Sequence, residues 1–235
     1  MKKKIVKRLF PFLFLAFSLS AYSQDILMSQ NVKADTIRPT RGPNLKHFVQ
    51  GYIGLGFPVF TNEDVTYTKF GASSAIDFGV RYKLKLASHF AVGLDLGASL
   101  AGYKIKQEDG KTMPDTIINK KEKFQINTIM GSAYMRINVG RRGNYIGNYL
   151  DLGVYGGWNC VKKHKTINDN TEGEKVKVVT SGLSYVDNFS YGLLTRLGSG
   201  RYALTAGYRL SDIFEASYIL PELPRLIIGV EIGIF

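Results

Sequence analysis

From Val49 to the end of the chain, apolar side chains fall on alternate positions in short runs, and the positions between them carry glycine or charge. A period of two belongs to a β-strand, whose successive side chains point to opposite faces. Val49, Ile53, Leu55 and Phe57 share one parity against Gln50, Tyr52, Gly54 and Gly56. Ile76, Phe78, Val80, Tyr82 and Leu84 oppose Asp77, Gly79, Arg81 and Lys83, and Phe90, Val92, Leu94 and Leu96 oppose Gly93, Asp95 and Gly97. The pattern recurs through Ile129 to Val139, Leu150 to Cys160, Phe189 to Leu197, Tyr202 to Leu210 and Leu226 to Ile234, which makes about eight strands. Turn residues separate them.

The connectors alternate in length. Those expected at 58–71, 104–123, 162–188 and 212–224 are long, whereas those near 85–89, 140–144 and 198–201 are tight and rich in Gly or Arg. Short turns on one side and long loops on the other, with strands of about ten residues, are the pattern of an outer-membrane barrel. The expected fold is therefore all-β, an eight-stranded antiparallel up-and-down transmembrane β-barrel.

Which face points outward follows from composition. The face opposite the apolar one is dominated by glycine and charge rather than by the Lys, Thr and Gln of a water-facing surface, and a narrow barrel needs small residues inside to accommodate a few large ones. A soluble β-sandwich or lipocalin-like barrel would turn its apolar face inward instead. The chain holds 25 Gly, 14 Phe and 14 Tyr in 235 residues, high for a soluble domain, and no second long apolar run that would make a helical membrane protein. Aromatics are expected as interfacial girdles, with Tyr82, Phe90, Tyr145 and Tyr202 near the inner side and Phe57, Trp158 and Phe214 near the outer.

The N-terminus reads as a secretory leader. Lys2, Lys3, Lys4, Lys7 and Arg8 precede an apolar stretch from Leu9 to Ser20, and Ala21-Tyr22-Ser23 places small residues where a signal peptidase reads. That stretch is shorter than the ~20 residues a membrane-spanning helix needs. The expected organisation is a signal peptide over 1–23, a polar periplasmic tail over 24–46 and an outer-membrane barrel over 47–235, which places the chain in the outer membrane. Cys160 is the only cysteine, so no internal disulfide forms.

Three stretches resemble a known family. Asp187-Asn188-Phe189-Ser190-Tyr191-Gly192-Leu193, the segment GRYALTAGYRLSDIF from Gly200 to Phe214, and a final aromatic after an amphipathic strand are similar to the outer-membrane β-barrel domain family (PorT-like, porin-family proteins) of Bacteroidetes, as is the leader's end at Ser23-Gln24. The resemblance spans about 48–235. It implies insertion by the outer-membrane assembly machinery, which reads a terminal aromatic, here Phe235. In that signal the aromatic shares the lipid-facing parity, whereas Phe235 shares that of Glu231 and Gly233; either a bulge or a position at the barrel mouth accounts for this.

Chemistry concentrates on the inward face. Asp77, Arg81, Asp95, Arg136, Asp151, Arg196, Arg209 and Glu231 are expected to form a lumen charge network, paired across neighbouring strands because isolated buried charges are costly. The network would serve as a structural plug or line a selective conduit. For catalysis, His47 and His89 map to the inner side, leaving His164 with Ser181, Ser184, Glu172, Glu174 and Asp187 nearby in sequence and no spacing that makes a triad. Gly110-Lys111-Thr112 imitates the end of a phosphate loop, but Ile105 occupies the place of its first glycine. No His, Cys or carboxylate run has metal-ligand spacing, and no cofactor is expected.

The basic excess, 31 Lys and Arg against 19 Asp and Glu, lies largely in the leader and loops. Lys111, Lys120, Lys121, Lys162, Lys163, Lys165, Lys175 and Lys177 are expected either to meet lipopolysaccharide phosphates or to form a plain solvated charge set partly offset by Asp109, Glu122, Asp169 and Glu172. Partners expected are outer-membrane lipids and lipopolysaccharide, the assembly machinery and an envelope-complex protein, not nucleic acid. The leading expectation is a non-enzymatic barrel with a structural or accessory role or limited small-solute passage. Its alternatives are a subunit of a secretion or uptake complex and a lipid A-modifying enzyme.

Overall fold

The structure, a computed structural model, describes residues 42–59, 68–69, 71–109, 111, 113–140, 143–169, 173–218 and 220–234. The expected signal peptide, the tail up to residue 41 and Phe235 lie outside the described residues. Nine strands form one antiparallel sheet: β1 His47–Val59, β2 Ser74–Lys85, β3 Phe90–Lys104, β4 Lys121–Val139, β5 Asn148–Asp169, β6 Lys175–Ser181, β7 Phe189–Ser199, β8 Tyr202–Arg209 and β9 Leu226–Ile234. Eight of them close into a ring, each pairing with the next in the chain, β5 with β7, and β9 returning to β1. β6 stands outside the ring, paired with the far end of β5.

Every ring strand turns its apolar parity outward. Ile53, Val80, Leu96, Met135, Val154, Leu193, Leu204 and Val230, one from each strand, are all exposed, with Leu96 at 69%. The opposite parity holds Arg81, Asp95, Arg136, Asp151, Arg196 and Glu231, all buried. Polar side chains are thus inside and apolar ones outside, the reverse of a water-soluble core.

The interior is narrow enough that large side chains rest on glycines of nearby strands, the adjoining one for Tyr134 and Tyr149 and the next but one for Tyr52. A Cβ at Gly93 would lie 2.3 Å from the Tyr134 ring, one at Gly97 2.6 Å from the Tyr52 hydroxyl, and one at Gly198 2.0 Å from the Tyr149 ring. Glycine supplies turn geometry as well. β7 and β8 are joined by the two-residue loop Gly200-Arg201, where Gly200 takes φ +59°, the positive value a tight hairpin needs at its first central position.

Three expectations are corrected. The segment 162–188 is not one long loop, because β5 runs on to Asp169 and turns back as β6. The lysine-rich composition obscures this extension, which lies beyond the apolar belt and needs no alternation of grease and glycine. For the same reason β4 starts at Lys121 rather than near Thr128. Phe214 is no girdle residue; it is 4% exposed and packed among other apolar groups, whereas Tyr145, Tyr202 and Trp158 are exposed. Residues 42–46, the described end of the expected tail, pack against the ring, where buried Pro43 offers its carbonyl to Lys83 Nζ and Asn44 Nδ2 donates to the Gly143 carbonyl at 2.9 Å.

Gly198→Ala should overpack the Tyr149 seat and lower stability by about 1–3 kcal/mol. Gly207→Ala, where an added Cβ meets nothing within 4 Å, is the matched control. Denaturant midpoints of the two variants should differ accordingly.

Candidate functional site

The centre of the ring is a charge-balanced cluster of three arginines and three carboxylates. Arg81 on β2 donates from Nε to Asp95 Oδ1 at 3.0 Å and from Nη1 and Nη2 to Glu231 at 2.6 and 2.8 Å. Arg136 on β4 makes a two-pronged contact with Asp151 on β5, both arms at 2.7 Å. Arg196 on β7 is the hub, because its guanidinium donates to Asp95 Oδ2 and lies 3.5 Å from Asp151 Oδ2 and 3.6 Å from Glu231 Oε2. Two-pronged guanidinium–carboxylate contacts fix geometry as well as charge.

Tyrosines insulate the cluster. Tyr134 has the guanidiniums of Arg196, Arg136 and Arg81 at 5.4, 5.5 and 5.9 Å from its ring centre, and Arg136 lies 3.7 Å above Tyr149. Cations over aromatic faces gain most where water is excluded. Ser132 donates a further hydrogen bond to Asp95 at 3.0 Å.

The pairing differs from the expected one. Arg81–Asp95, Arg136–Asp151 and Arg196–Asp151 join neighbouring strands, but Arg81–Glu231 skips β1, Arg196–Glu231 skips β8, and Arg196–Asp95 crosses the ring. Strand alternation in the sequence cannot show such contacts, since they depend on the radius of the closed ring. Two expected members stand apart. Asp77 faces a cavity of about 150 Å³ above the cluster. Arg209, at the end of the ring with the long connectors, pairs with Glu222 at 2.9 Å and donates to the Leu223 carbonyl at 2.9 Å.

That cavity is roofed by an apolar lid. Tyr103, Ile105, Met113, Phe124, Ile126, Leu183, Val186, Ile213, Phe214 and Leu223 form one buried cluster, drawn from strand ends and the connectors after β3, β6 and β8. Backbone bonds from Asp187 to Ile213 at 2.8 Å and from Glu215 to Tyr185 at 3.0 Å tie two of those connectors together. The sequence conceals the lid because most of its residues are scattered through three connectors with no period, the rest standing at strand ends.

A second polar cluster borders the lid. Glu122, with a side chain 0% exposed, receives hydrogen bonds from His164 Nε2 at 2.7 Å, Lys111 Nζ at 2.5 Å, Gln107 Nε2 at 2.8 Å and Asn119 Nδ2 at 3.1 Å. His164 stacks on Phe124 with ring centres 4.8 Å apart. Burial alone would raise the Glu122 carboxyl, but the donors from His164, Lys111, Asn119 and Gln107 outweigh it and lower the group to about 2. His164 is therefore committed to a carboxylate from β4, not to Ser181, Ser184, Glu174 or Asp187, and Glu172 lies outside the described residues. Lys111, the lysine of the imitation phosphate loop, is buried in the same cluster. Among the described residues no group of three His, Cys, Asp or Glu side chains converges to hold a metal. No family model matches this chain, and comparison with curated proteins finds no significant match.

Because Glu122 is depressed in the folded state, its stabilising contribution is present above the ordinary carboxylate value near 4.5 and lost as pH falls through about 2. Pepsin, corrected for its own pH dependence on an unstructured substrate, should cut the connector after β3 faster at pH 2 than at pH 4. Glu122→Gln should flatten that difference.

Proposed function

We propose that this chain is an outer-membrane protein, an eight-stranded up-and-down transmembrane β-barrel akin to the PorT-like, porin-family proteins, with a structural or accessory role and no catalytic chemistry. The observation that carries the reading is the unbroken belt of exposed apolar side chains around all eight ring strands, set against a charged interior. A soluble monomer rarely leaves a contiguous apolar patch of more than a few hundred Å² in water. A closed ring has no unpaired strand edge, which is the condition for spanning lipid with strands. In this reading Tyr202 and Trp158 lie at the two interfaces, the long connectors face outward from the cell, and the assembly machinery inserts the chain through its last strand and Phe235.

The interior favours a plug over a conduit. Pro43 against Lys83, the arginine–carboxylate cluster and the apolar lid lie in series along the axis. His164 is held by Glu122 rather than aimed at a hydroxyl, which supports a non-catalytic role over lipid A modification. A second reading, as a subunit of a secretion or uptake complex, draws on the β5–β6 hairpin, which carries exposed Val176, Val178 and Val179 on a strand whose other edge pairs with none of the described residues. Cross-linking from β6 in native membranes, with recovery of one defined partner, would favour it.

Leu96→Arg decides the membrane reading. In phospholipid vesicles it should cost about 2–4 kcal/mol of folding stability, as a charge on a lipid-facing strand does near mid-bilayer. A change within about 0.5 kcal/mol, the usual range for a water-facing site, overturns the proposal. For the plug, Arg196→Met strands a surplus carboxylate and should cost about 3–5 kcal/mol. Planar-bilayer recordings should then show more frequent openings in this variant than in the parent, and a parent that already conducts steadily is no plug.

A further inference from the structure

Above the apolar belt, the outward face of the sheet carries charges that the fold leaves uncompensated. Lys104, Lys123 and Lys165 are direct register partners on β3, β4 and β5. Partners so placed hold their Cβ atoms about 4.5–5.5 Å apart, and like charges there repel. Lys163 stands one two-residue step nearer the belt, opposite Gln125, while Lys121 and Lys177 flank Ile167 one step farther out. Among the described residues none of these six lysines has a carboxylate within ion-pairing distance, and the acid next along that face, Asp169, is taken by Lys120 at 2.5 Å.

The central lysine is seated, not waving in solvent. Lys123 lies along Gly102 of β3, where an added Cβ would fall 2.3 Å from its Cε and 2.5 Å from its Nζ. Burial and the neighbouring ammonium groups of Lys165 and Lys104 hold Lys123 below the usual lysine range. Lys165 donates to Gln125 Oε1 at 2.6 Å, which fixes a second ammonium beside it.

The eight lysines expected to meet phosphate are divided by the fold. Lys111 is consumed by Glu122, Lys120 by Asp169, and Lys162 by the Val186 carbonyl at 2.7 Å and Asn188 Oδ1 at 2.9 Å. Lys104 and Lys123, absent from that set, stand at the centre of the outward group. A row of mutually repelling cations held in register is stabilised by an anion that bridges them.

Their depth selects the anion's source. Leu100 and Val161, at the upper edge of the belt, precede Lys104 and Lys165 by four residues on the same strands, about 13 Å of strand and less in height because strands tilt. Lysine stems bridge that remaining distance readily. We propose that Lys104, Lys123 and Lys165, flanked by Lys163, Lys121 and Lys177, bind the phosphate groups of a phosphorylated glycolipid in the outer leaflet, its acyl chains lying on the belt below. This rests on the membrane reading above. A dissolved phosphate would meet the same charges, but only a lipid also occupies the apolar surface continuous with them.

The full chain, reconstituted in phosphatidylcholine nanodiscs doped with bisphosphorylated lipid A or its dephosphorylated form, tests this by native mass spectrometry of retained glycolipid. The parent should prefer the bisphosphorylated form by at least about tenfold, given the contribution of each lysine near a charged membrane surface. The triple variant Lys104→Gln/Lys123→Gln/Lys165→Gln should lose that preference, while Lys162→Gln keeps it. Equal retention of both forms by the parent, an undiminished preference in a triple variant that inserts and melts normally, or displacement of the glycolipid by millimolar inorganic phosphate overturns the site. Failure of the parent to insert at all overturns the membrane reading instead, so the two outcomes are distinct.

Discussion

The balance of three guanidiniums against three carboxylates inside the ring is the constraint on which the rest of this structure depends. Each of these groups is nearly excluded from water, with Arg81 and Asp151 at 1% exposure. A single unpaired member would be prohibitively placed, and mutual attraction offsets desolvation only with near-ideal geometry and full use of the donors. The ring meets most of that condition by bringing residues from six strands onto one level, with Arg81 and Arg136 bound in two-pronged contacts, while Arg196 Nε and Nη1 face Glu231 and Asp151 at ion-pairing rather than hydrogen-bonding geometry. Glycines opposite Tyr52, Tyr134 and Tyr149 supply the space, since the rings that insulate the arginines lie where other residues would put a Cβ.

The two ends of the ring are sealed by different means. At the end with the short connectors a backbone carbonyl, that of Pro43, meets the buried Lys83 ammonium, which also lies 5.5 Å from the Phe48 ring centre. At the end with the long connectors the seal is apolar, and the Arg209–Glu222 pair ties it to the wall while Glu222 also accepts from the Ile213 amide at 3.1 Å. Between seal and cluster remains a small chamber with Asp77 on its wall. A polar floor under an apolar roof keeps the interior layered rather than hollow.

How much of this is legible in the sequence depends on whether a feature is local. Strand parity is local, so the inward set Arg81, Asp95, Arg136, Asp151, Arg196 and Glu231 follows from alternation alone. Contacts across the ring are not: nothing near Arg196 in sequence points to Asp95, 101 positions away, as its partner. The lid is illegible for a related reason, since Phe124, Val186 and Phe214 come from separate segments without periodicity. The upward extension of β4 and β5 lies outside the belt, where the parity reverses on β4: Phe124 and Ile126 turn inward to the lid and Lys123, Gln125 and Asn127 outward, so the outward apolar pattern that marks the belt strands stops. A bulge assists this change, for Asn127 pairs with Val161 and Thr128 with Asn159, leaving Cys160 without an opposite number.

Glu231 lies on the last strand of the chain, yet it is the carboxylate that engages Arg81 of β2 at 2.6 Å and approaches Arg196 of β7. Until β9 docks between β8 and β1, three guanidiniums share the two carboxylates of Asp95 and Asp151. An unclosed arc of seven strands would therefore hold a net positive interior, and arrival of the C-terminal segment neutralises it while erasing both open edges. Completion is coupled to electrical neutrality, so partially assembled forms are disfavoured twice over by a single missing strand.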